Sequence, residues 1–229
     1  MDDTERGAEP DMAARGRPRA FDRDAALKAA MELFWRKGFS ATSMADLCAA
    51  MGINAPSLYA AFGSKEALYE AALRQYEQAA SPLIWGAFEA APTARASITG
   101  LLMASAANLP GTDRPPGCMI TLATAGQEGC TRLGDLVAKA RAEGEAMIAA
   151  RLRRAVAEGE LPPGTDIAAL AAFYACVQHG MSIEARDGAD RQKLEAIARC
   201  ALSAWPVLTG GGAAPPAGTG CVPPAPRGR

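Results

Sequence analysis

Cysteine and histidine are the residue types in this chain that are best able to do chemistry. A thiolate and an imidazole can act as nucleophile and base, and both bind soft metal ions. The cysteines lack the Cys-x-x-Cys or Cys/His spacing of a zinc site, and His179 is the single histidine. We therefore expect no metal, no cofactor and reduced thiols that mostly pack inside the protein. The six cysteines are Cys48, Cys118, Cys130, Cys176, Cys200 and Cys221.

A thiol enzyme would need Cys118 and His179 to meet in the folded chain. No local signature links these two residues, and no loop that would stabilise an oxyanion is recognisable. We therefore expect no enzymatic activity. A histidine in an apolar helical segment is either a hydrogen-bonded core or interface residue or a ligand contact, and both interpretations of His179 stay open.

Phosphate binding is the other chemistry that the residue types allow, because Lys and Arg residues are concentrated near the N-terminus. The whole chain has a formal charge of -1. Between Met12 and Lys65, however, eight Lys or Arg face four Asp or Glu, so this region carries +4 and the remainder -5. Phosphate contacts depend on Lys and Arg that displace counterions. A basic N-terminal region on an acidic body suits a nucleic-acid binder, although charge alone does not decide it.

The elements that would position such contacts begin with a helix predicted over 23–37. Its apolar residues recur at helical spacing from Leu27 to Phe34, and Lys37-Gly38 supplies a stop. The segment before this helix, up to residue 20, has almost no apolar content. We expect it to form a flexible basic arm.

Two short helices follow, separated by a glycine. Thr42 or Ser43 begins the first, which ends at Gly52. Asn54 begins the second, and Pro56 lies in its first turn, where a missing N–H is harmless. Two short helices joined by a tight turn are typical of a helix-turn-helix, whose second helix enters the major groove of DNA.

Two segments of this region resemble the DNA-binding domain of the TetR family of transcriptional regulators. They are Phe34-Trp-Arg-Lys-Gly-Phe-Ser-Ala-Thr-Ser and Gly52-Ile-Asn-Ala-Pro-Ser-Leu-Tyr-Ala-Ala-Phe-Gly-Ser-Lys-Glu-Ala-Leu. The resemblance covers about a quarter of the chain. It implies a homodimeric repressor that leaves a palindromic operator in double-stranded DNA when an unidentified small-molecule effector binds. A transcriptional activator is the alternative.

The resemblance also implies which residues contact DNA. Ser43, Tyr59 and Lys65 would bind phosphates, and the arginines of the arm would reach the backbone or the minor groove. Ser43 is otherwise only a helix cap, and Tyr59 only a partly buried core residue. Ala60 and Ala61 are smaller than the residues that many relatives carry, so base contacts would be sparse and DNA deformability would contribute. The full predicted set is Arg15, Arg17, Ser43, Ala55, Ser57, Tyr59 and Lys65.

The rest of the chain predicts an all-α fold with about nine helices, since no stretch alternates with a period of two. Besides the three helices above, we expect helices over 65–80, 93–108, 118–126, 131–158, 166–186 and 190–205. The predicted domains are the arm at 1–20, the helix-turn-helix domain at 21–68, an effector-binding and dimerisation domain at 69–206, and a disordered tail at 207–229.

In the TetR family the last two helices pack against their twofold mates. The resemblance therefore implies dimerisation through the segments 166–186 and 190–205. Both have a broad apolar surface, although an ordinary intrachain core would explain the same pattern. The residues of this surface are Ile167, Leu170, Ala171, Tyr174, Val177 and Met181, with Leu194 to Trp205.

Pro115-Pro-Gly-Cys-Met119 resembles an element that begins the sixth helix in one branch of the family, where some members sense electrophiles or oxidants with that thiol. A helix N-terminus would lower the pKa of the Cys118 thiol. Thiol-based sensing through Cys118 is thus an alternative function, and packing is the plainer role. Candidate effector or redox residues are Cys118, His179, Tyr174 and Met147; Trp85, Phe88 and Met103 would also suit a pocket.

No apolar run is long enough to span a membrane, because the longest one, after Ile167, stops at Gln178. The acidic first residues lack the features of a secretion signal. We therefore expect a cytoplasmic protein.

Overall fold

The computed structural model describes residues 22–124, 126 and 129–210. These residues form nine α-helices and no strand, which confirms the predicted all-α fold. The helices are α1 (Arg23–Lys37), α2 (Met44–Met51), α3 (Ala55–Phe62), α4 (Lys65–Glu89), α5 (Ala94–Asn108), α6 (Thr131–Ala157), α7 (Ile167–Arg186), α8 (Arg191–Ser203) and α9 (Trp205–Leu208).

Helices α1 to α3, which we call the head, begin and end as the sequence predicts. Asp22 caps α1 by accepting the backbone N–H groups of Asp24 and Ala25, both at 3.1 Å. The aromatic rings of Phe34, Phe39 and Tyr69 then meet in the centre of the head, with Phe34 only 2% exposed. Aromatic packing thus joins α1 to the start of α4.

Helix α4 is longer than predicted and belongs to two hydrophobic cores. We expected it to end near Ala80, but it continues through Pro82 to Glu89. Proline inside a helix removes one hydrogen bond and costs about 3 kcal/mol. Burial of Ile84 and Phe88 beyond the proline offsets that cost, because both side chains pack in the core formed with α5 to α9.

Helices α5 to α9, which we call the body, surround the second core with the last turns of α4. Arg151 of α6 is 9% exposed and holds the start of α5 to the end of α6. It donates to Ser97 Oγ at 3.2 Å, to the Pro92 carbonyl at 3.2 Å and to Glu160 Oε2 at 3.3 Å. Glu160 Oε1 in turn accepts the Ala94 N–H at 2.6 Å. This network fixes one end of the body.

The helix predicted over 118–126 is wrong. In its described part the segment forms turns, with one helix-like hydrogen bond from Leu122 N to the Cys118 carbonyl at 3.0 Å. The apolar residues that suggested a helix are instead drawn into two cores: Met119 is 2% exposed and packs with the head, while Cys118 touches both cores.

The C-terminal end of the described chain differs slightly from the expectation. Residues 207 and 208 were assigned to the tail, but they complete α9, and Thr209 is buried with its hydroxyl donating to the Trp205 carbonyl at 2.8 Å. The predicted arm at 1–20 and the predicted tail beyond residue 210 lie outside the described residues. The domain boundary at 68 stays a prediction. Within the described ranges, no helix has the length and apolar content needed to cross a membrane.

Candidate nucleic-acid interface and cavity

The start of α2 is held by a reciprocal pair of hydrogen bonds. Ser43 Oγ accepts the Asp46 N–H at 3.0 Å, and Asp46 Oδ2 accepts the Ser43 N–H at 3.1 Å. These bonds, led by the one from the Ser43 backbone and followed by Lys37, lower the pKa of Asp46. The hydroxyl hydrogen of exposed Ser43 is not used by the cap, so the same side chain can donate to a phosphate.

The turn between α2 and α3 needs a glycine. Gly52 has φ 66° and ψ 29°, the left-handed conformation that glycine adopts without a Cβ penalty. Two residues later Asn54 caps α3, because its side chain accepts the Ser57 N–H at 2.9 Å. Leu58 and Phe62 are buried beneath the helix. The opposite face of α3 is thereby turned to solvent in a fixed orientation.

The exposed face of α3 carries few polar groups. Ser57 and Ala60 are exposed, Tyr59 is 50% exposed, and Ala55 is half-buried at the start of the helix. Tyr59 is thus not buried in the core, so it can present its hydroxyl to a ligand. The helix places the three predicted contact residues Ala55, Ser57 and Tyr59 within its first five residues.

Two lysines next to this face have different surroundings. Lys37 forms an ion pair with Asp46 at 3.2 Å, which links the end of α1 to α2. Lys65, at the start of α4, lies 4.3 Å above the ring of Phe39, a cation–π contact, and it forms no ion pair with a described carboxylate. Lys65 is therefore the better placed of the two for a phosphate. The predicted contacts Arg15 and Arg17 lie outside the described residues.

A cavity of about 290 Å³ lies where α4, α6, α7 and the 118–121 turn meet. Three of the four candidate effector residues line it: Cys118, His179 and Met147. Trp85, which we also expected in a pocket, lines it too. The walls are mixed in character, with aromatic and aliphatic side chains beside carboxylates and an arginine. Such a cavity suits a small organic molecule.

The fourth candidate, Tyr174, lies elsewhere. Its ring is fully buried in the body core next to Trp205, and its hydroxyl donates to the Ala201 carbonyl at 3.4 Å. Burial raises the pKa of Tyr174 to about 12. Tyr174 is therefore a core residue and does not line the cavity, and the same holds for Phe88 and Met103.

Ionisable residues that we did not predict from the sequence line the cavity. Burial, then the negative charge of Glu143, raises the pKa of Glu77. Burial also raises the pKa of Tyr76 well above its usual value, so its phenol stays protonated. Arg141 donates to the Ile120 carbonyl at 3.0 Å and so fixes the turn that forms one wall. In the sequence these residues look like an ordinary solvated helix face, and no signal marked them.

Cys118 does not begin a helix, so no helix N-terminus activates its thiol. Its backbone N–H donates to Ser182 Oγ at 2.7 Å, and its side chain is half-buried between the two cores. The packing role thus explains its surroundings, and thiol sensing is not favoured. In the described part of the chain no three His, Cys, Asp or Glu side chains are grouped so as to hold a metal ion.

His179 offers a pH-dependent test of this cavity wall. Burial, then the charge of Arg141, lowers the pKa of His179, while Glu145 opposes the shift. The unfolded chain therefore takes up a proton at this histidine before the folded chain does, and stability falls as the pH drops below about 6.5. Urea unfolding of His179→Gln should show a smaller loss of stability between about pH 7 and pH 5 than the wild-type chain. Equal pH dependence in both proteins would contradict the shift.

The apolar surface expected on α7 lies on a different face from the one we named. Leu170, Ala171, Tyr174 and Met181 are buried in the body core, so the intrachain alternative is correct for them. The outer face of α7 still exposes apolar side chains, including Phe173 at 37% and Ile183 at 51%. The other exposed members of this outer face are Ala169, Ala172 and Cys176.

Similar proteins support the identification of the head. A model of bacterial regulatory proteins of the tetR family matches residues 26–72. The HTH-type transcriptional repressor ComR of Escherichia coli (strain K12) is 39% identical over 197 residues, which span 85% of this chain and 94% of ComR. The repressor BdcR of the same organism is 52% identical over 61 residues, 27% of this chain and 31% of BdcR.

A solved structure has the same architecture. It is a cysteine-substituted variant of the TetR family transcriptional regulator CifR, complexed with 26 bp double-strand operator DNA. Its sequence is 41% identical to this one, the TM-score is 0.78, and the match covers 83% of this chain and all of the CifR chain. Because a relative well above 30% identity matches nearly end to end, this chain belongs to the TetR family of bacterial regulatory proteins.

Proposed function

We propose that this chain is a homodimeric transcriptional repressor that binds operator DNA through α2 and α3 and is released by a small molecule in the cavity. The observation that carries the proposal is the exposed face of α3, held in place by the Gly52 turn and the Asn54 cap. ComR and BdcR, both repressors by name, and the operator complex of CifR support it. The proposal is of a cytoplasmic regulator, not an enzyme.

In the proposed complex α3 lies in the major groove, with Ala55 and Ser57 next to base edges. Ser43 and Tyr59 donate to phosphates on either side, and Lys65 binds a further phosphate. Because Ser57 is the only polar side chain that α3 would place next to the bases, few hydrogen bonds would read base edges directly. Sequence choice then depends more on DNA shape and on Arg15 and Arg17 in the minor groove.

Dimerisation is proposed through the outer face of α7 together with α8. Two exposed apolar side chains near opposite ends of that face, Phe173 and Ile183, would be covered by the second copy. A twofold arrangement would place the two α3 helices about 34–36 Å apart, one turn of DNA, and so require a palindromic operator.

Release is proposed to occur by a shift in population. A molecule in the cavity contacts Ser81 and Trp85 on either side of Pro82, so it can favour one position of the head over another. A difference in binding free energy of about 1 to 3 kcal/mol between the two states is enough for a useful switch. A saturating effector that left operator affinity unchanged would contradict this mechanism.

The first experiment is selection from genomic DNA. The purified, reduced protein is incubated with fragmented DNA at a stated salt concentration, and the bound fragments are sequenced. An enriched palindrome supports a dimeric operator binder and identifies the regulated genes. Repression or activation is then decided with a reporter gene behind that site.

Replacing Lys65 by Gln tests the phosphate contact. Loss of one phosphate contact should lower the slope of log affinity against log salt by about 0.9 for each copy of the chain that binds. The measurement is operator affinity at several salt concentrations by fluorescence anisotropy. Lys37→Gln is the matched control, because Asp46 already neutralises Lys37. If the two variants had the same slope as the wild type, Lys65 would not bind phosphate.

A further inference from the structure

Helix α7 holds two distant parts of the chain through residues one helical turn apart. Ser182 Oγ accepts the Cys118 N–H at 2.7 Å, and Arg186 Nη2 donates to the Trp35 carbonyl at 3.1 Å. Side chains four residues apart lie on one helix face. We propose that Ser182 and Arg186 form a clamp that sets the orientation of the head for operator binding, with Arg186 as its positioning residue. This inference rests on the proposed function.

Trp35 is well placed to couple the orientation of α1 in the head to that of α7. Its carbonyl belongs to the last turn of α1, where carbonyl groups run out of donors within the helix. Arg186 supplies a charged donor there, which makes the hydrogen bond stronger than one between neutral groups. The indole is 4% exposed and packs edge-on against the ring of Tyr76 in α4, with centroids 4.8 Å apart and planes at 78°. Main chain and side chain of Trp35 are therefore both held by other helices.

The other end of the clamp holds the wall of the cavity. Gly117 lies so close to α7 that a Cβ added to it would be 2.8 Å from the Ser182 carbonyl oxygen, and its φ of +79° also favours glycine. The next residue, Cys118, lines the cavity together with Tyr76. A molecule in the cavity thus touches one residue bonded to Ser182 and another packed on Trp35.

These contacts form a closed circuit from α7 to the cavity wall, to α4, to α1 and back to α7. The head and the body are therefore connected by the Arg186–Trp35 hydrogen bond as well as by helix α4, which contributes to both cores. When the cavity wall shifts at Cys118, the face of α7 that carries Arg186 shifts with it, because Ser182 and Arg186 belong to the same rigid helix. Arg186 is half-buried in the body and acts on DNA only through Trp35.

The test compares Arg186→Gln, Ser182→Ala and Arg186→Lys in the full-length protein. Affinity is measured for the selected operator and for a scrambled duplex of equal length at the same salt. Arg186→Gln should weaken operator binding about tenfold, a usual size for coupling between sites, and leave scrambled-duplex binding unchanged. Arg186→Lys should restore most of the operator affinity because it keeps a charged donor. Arg154→Gln, which removes an exposed α6 arginine paired with Glu158, is the matched control.

A double-mutant cycle then asks whether the two contacts act together. Arg186→Gln with Ser182→Ala should weaken operator binding no more than Arg186→Gln alone, since either change opens the same clamp. Hydrogen exchange of the DNA-free variants gives a second readout: Arg186→Gln should speed exchange in the last turn of α1, and Arg154→Gln should not. This second readout keeps the proposal testable even if operator affinity is too weak to measure.

Three results would overturn the clamp: wild-type operator affinity in Arg186→Gln, an equal loss on the scrambled duplex, or additive effects in the cycle. An equal loss would mean that Arg186 binds phosphate or that the head has unfolded. Failure of the proposed function looks different, because the wild type and Arg154→Gln would then also fail to prefer the operator.

Discussion

Replacing Arg151 by Met is expected to lower the free energy of unfolding by about 3 kcal/mol, because removing one partner of a buried ion pair leaves the other charge uncompensated. Arg151 has 8% of its side chain exposed and pairs with Glu160 at 3.3 Å. Its loss also leaves Ser97 Oγ and the Pro92 carbonyl without this donor. Urea unfolding at one fixed protein concentration measures the effect, since the stability of a dimer depends on concentration.

The chain contains a matched control on the same helix. Arg154 pairs with Glu158 at 2.8 Å, but 64% and 48% of these side chains are exposed, so Arg154→Met should destabilise the protein far less than Arg151→Met. Arg151→Met leaves the Glu160 carboxylate unpaired. Combining it with Glu160→Gln removes that charge and should recover part of the lost free energy of unfolding. Equal effects of Arg151→Met and Arg154→Met would show that burial of the network does not matter.

Replacing Phe34 by Ala should lower the free energy of unfolding by about 3 to 5 kcal/mol, the usual range for removal of a buried phenylalanine ring. The ring is 2% exposed, and its centroid lies 5.0 Å from that of Tyr69 and 6.2 Å from that of Phe39. The cavity left behind would separate α1 from the start of α4. Urea unfolding followed by circular dichroism measures the loss, and the head should lose structure at the lowest urea concentration.

Tyr59→Ala is the matched control, because it removes an aromatic ring from the same region of the chain. Tyr59 is 50% exposed, so its removal should change stability by less than about 1 kcal/mol while it weakens DNA binding. A loss of similar size in both variants would contradict the assignment of Phe34 as the centre of the head.

The head was predictable because its signals are local. Ser43, Gly52 and Asn54 each determine a helix end within a few residues, and the structure places all three in those roles. Caps and turns depend on hydrogen bonds between neighbouring residues, so they can be recognised without knowledge of the tertiary fold. The exposed and buried faces of α3 then follow from the 3.6-residue period.

The remaining elements depend on packing between distant residues. The apolar residues around Met119 suggested a helix, but no periodicity tells whether such residues share one face or divide between two cores. We expected α4 to end near Ala80, and only the burial of Ile84 and Phe88 shows why it continues beyond Pro82. For α7 the pattern indicated an apolar helix correctly. It could not show that Tyr174 faces the chain's own core.

The candidate site was predictable in part for the same reason. Cys118, Met147 and His179 were named as candidate effector or redox residues, and the fold brings them to one cavity. Glu77 and Arg141 occupy charged helical segments that resemble a solvated surface. Arg186 likewise looks like a helix-end charge, and its bond to Trp35 joins residues 151 positions apart.

The hydrophobic core of the head is not confined to the head. Met119 and two residues of α6, Leu133 and Val137, are buried with α1 to α3. Regulators of this kind are natural starting points for hybrid genes, in which the DNA-reading part of one protein is fused to the sensing part of another. In a hybrid joined at residue 68, the head of another protein would have to pack on these three side chains. We therefore expect a functional hybrid only when residues 119, 133 and 137 come from the same parent as the head or are already compatible with it. This requirement restricts where such genes can recombine.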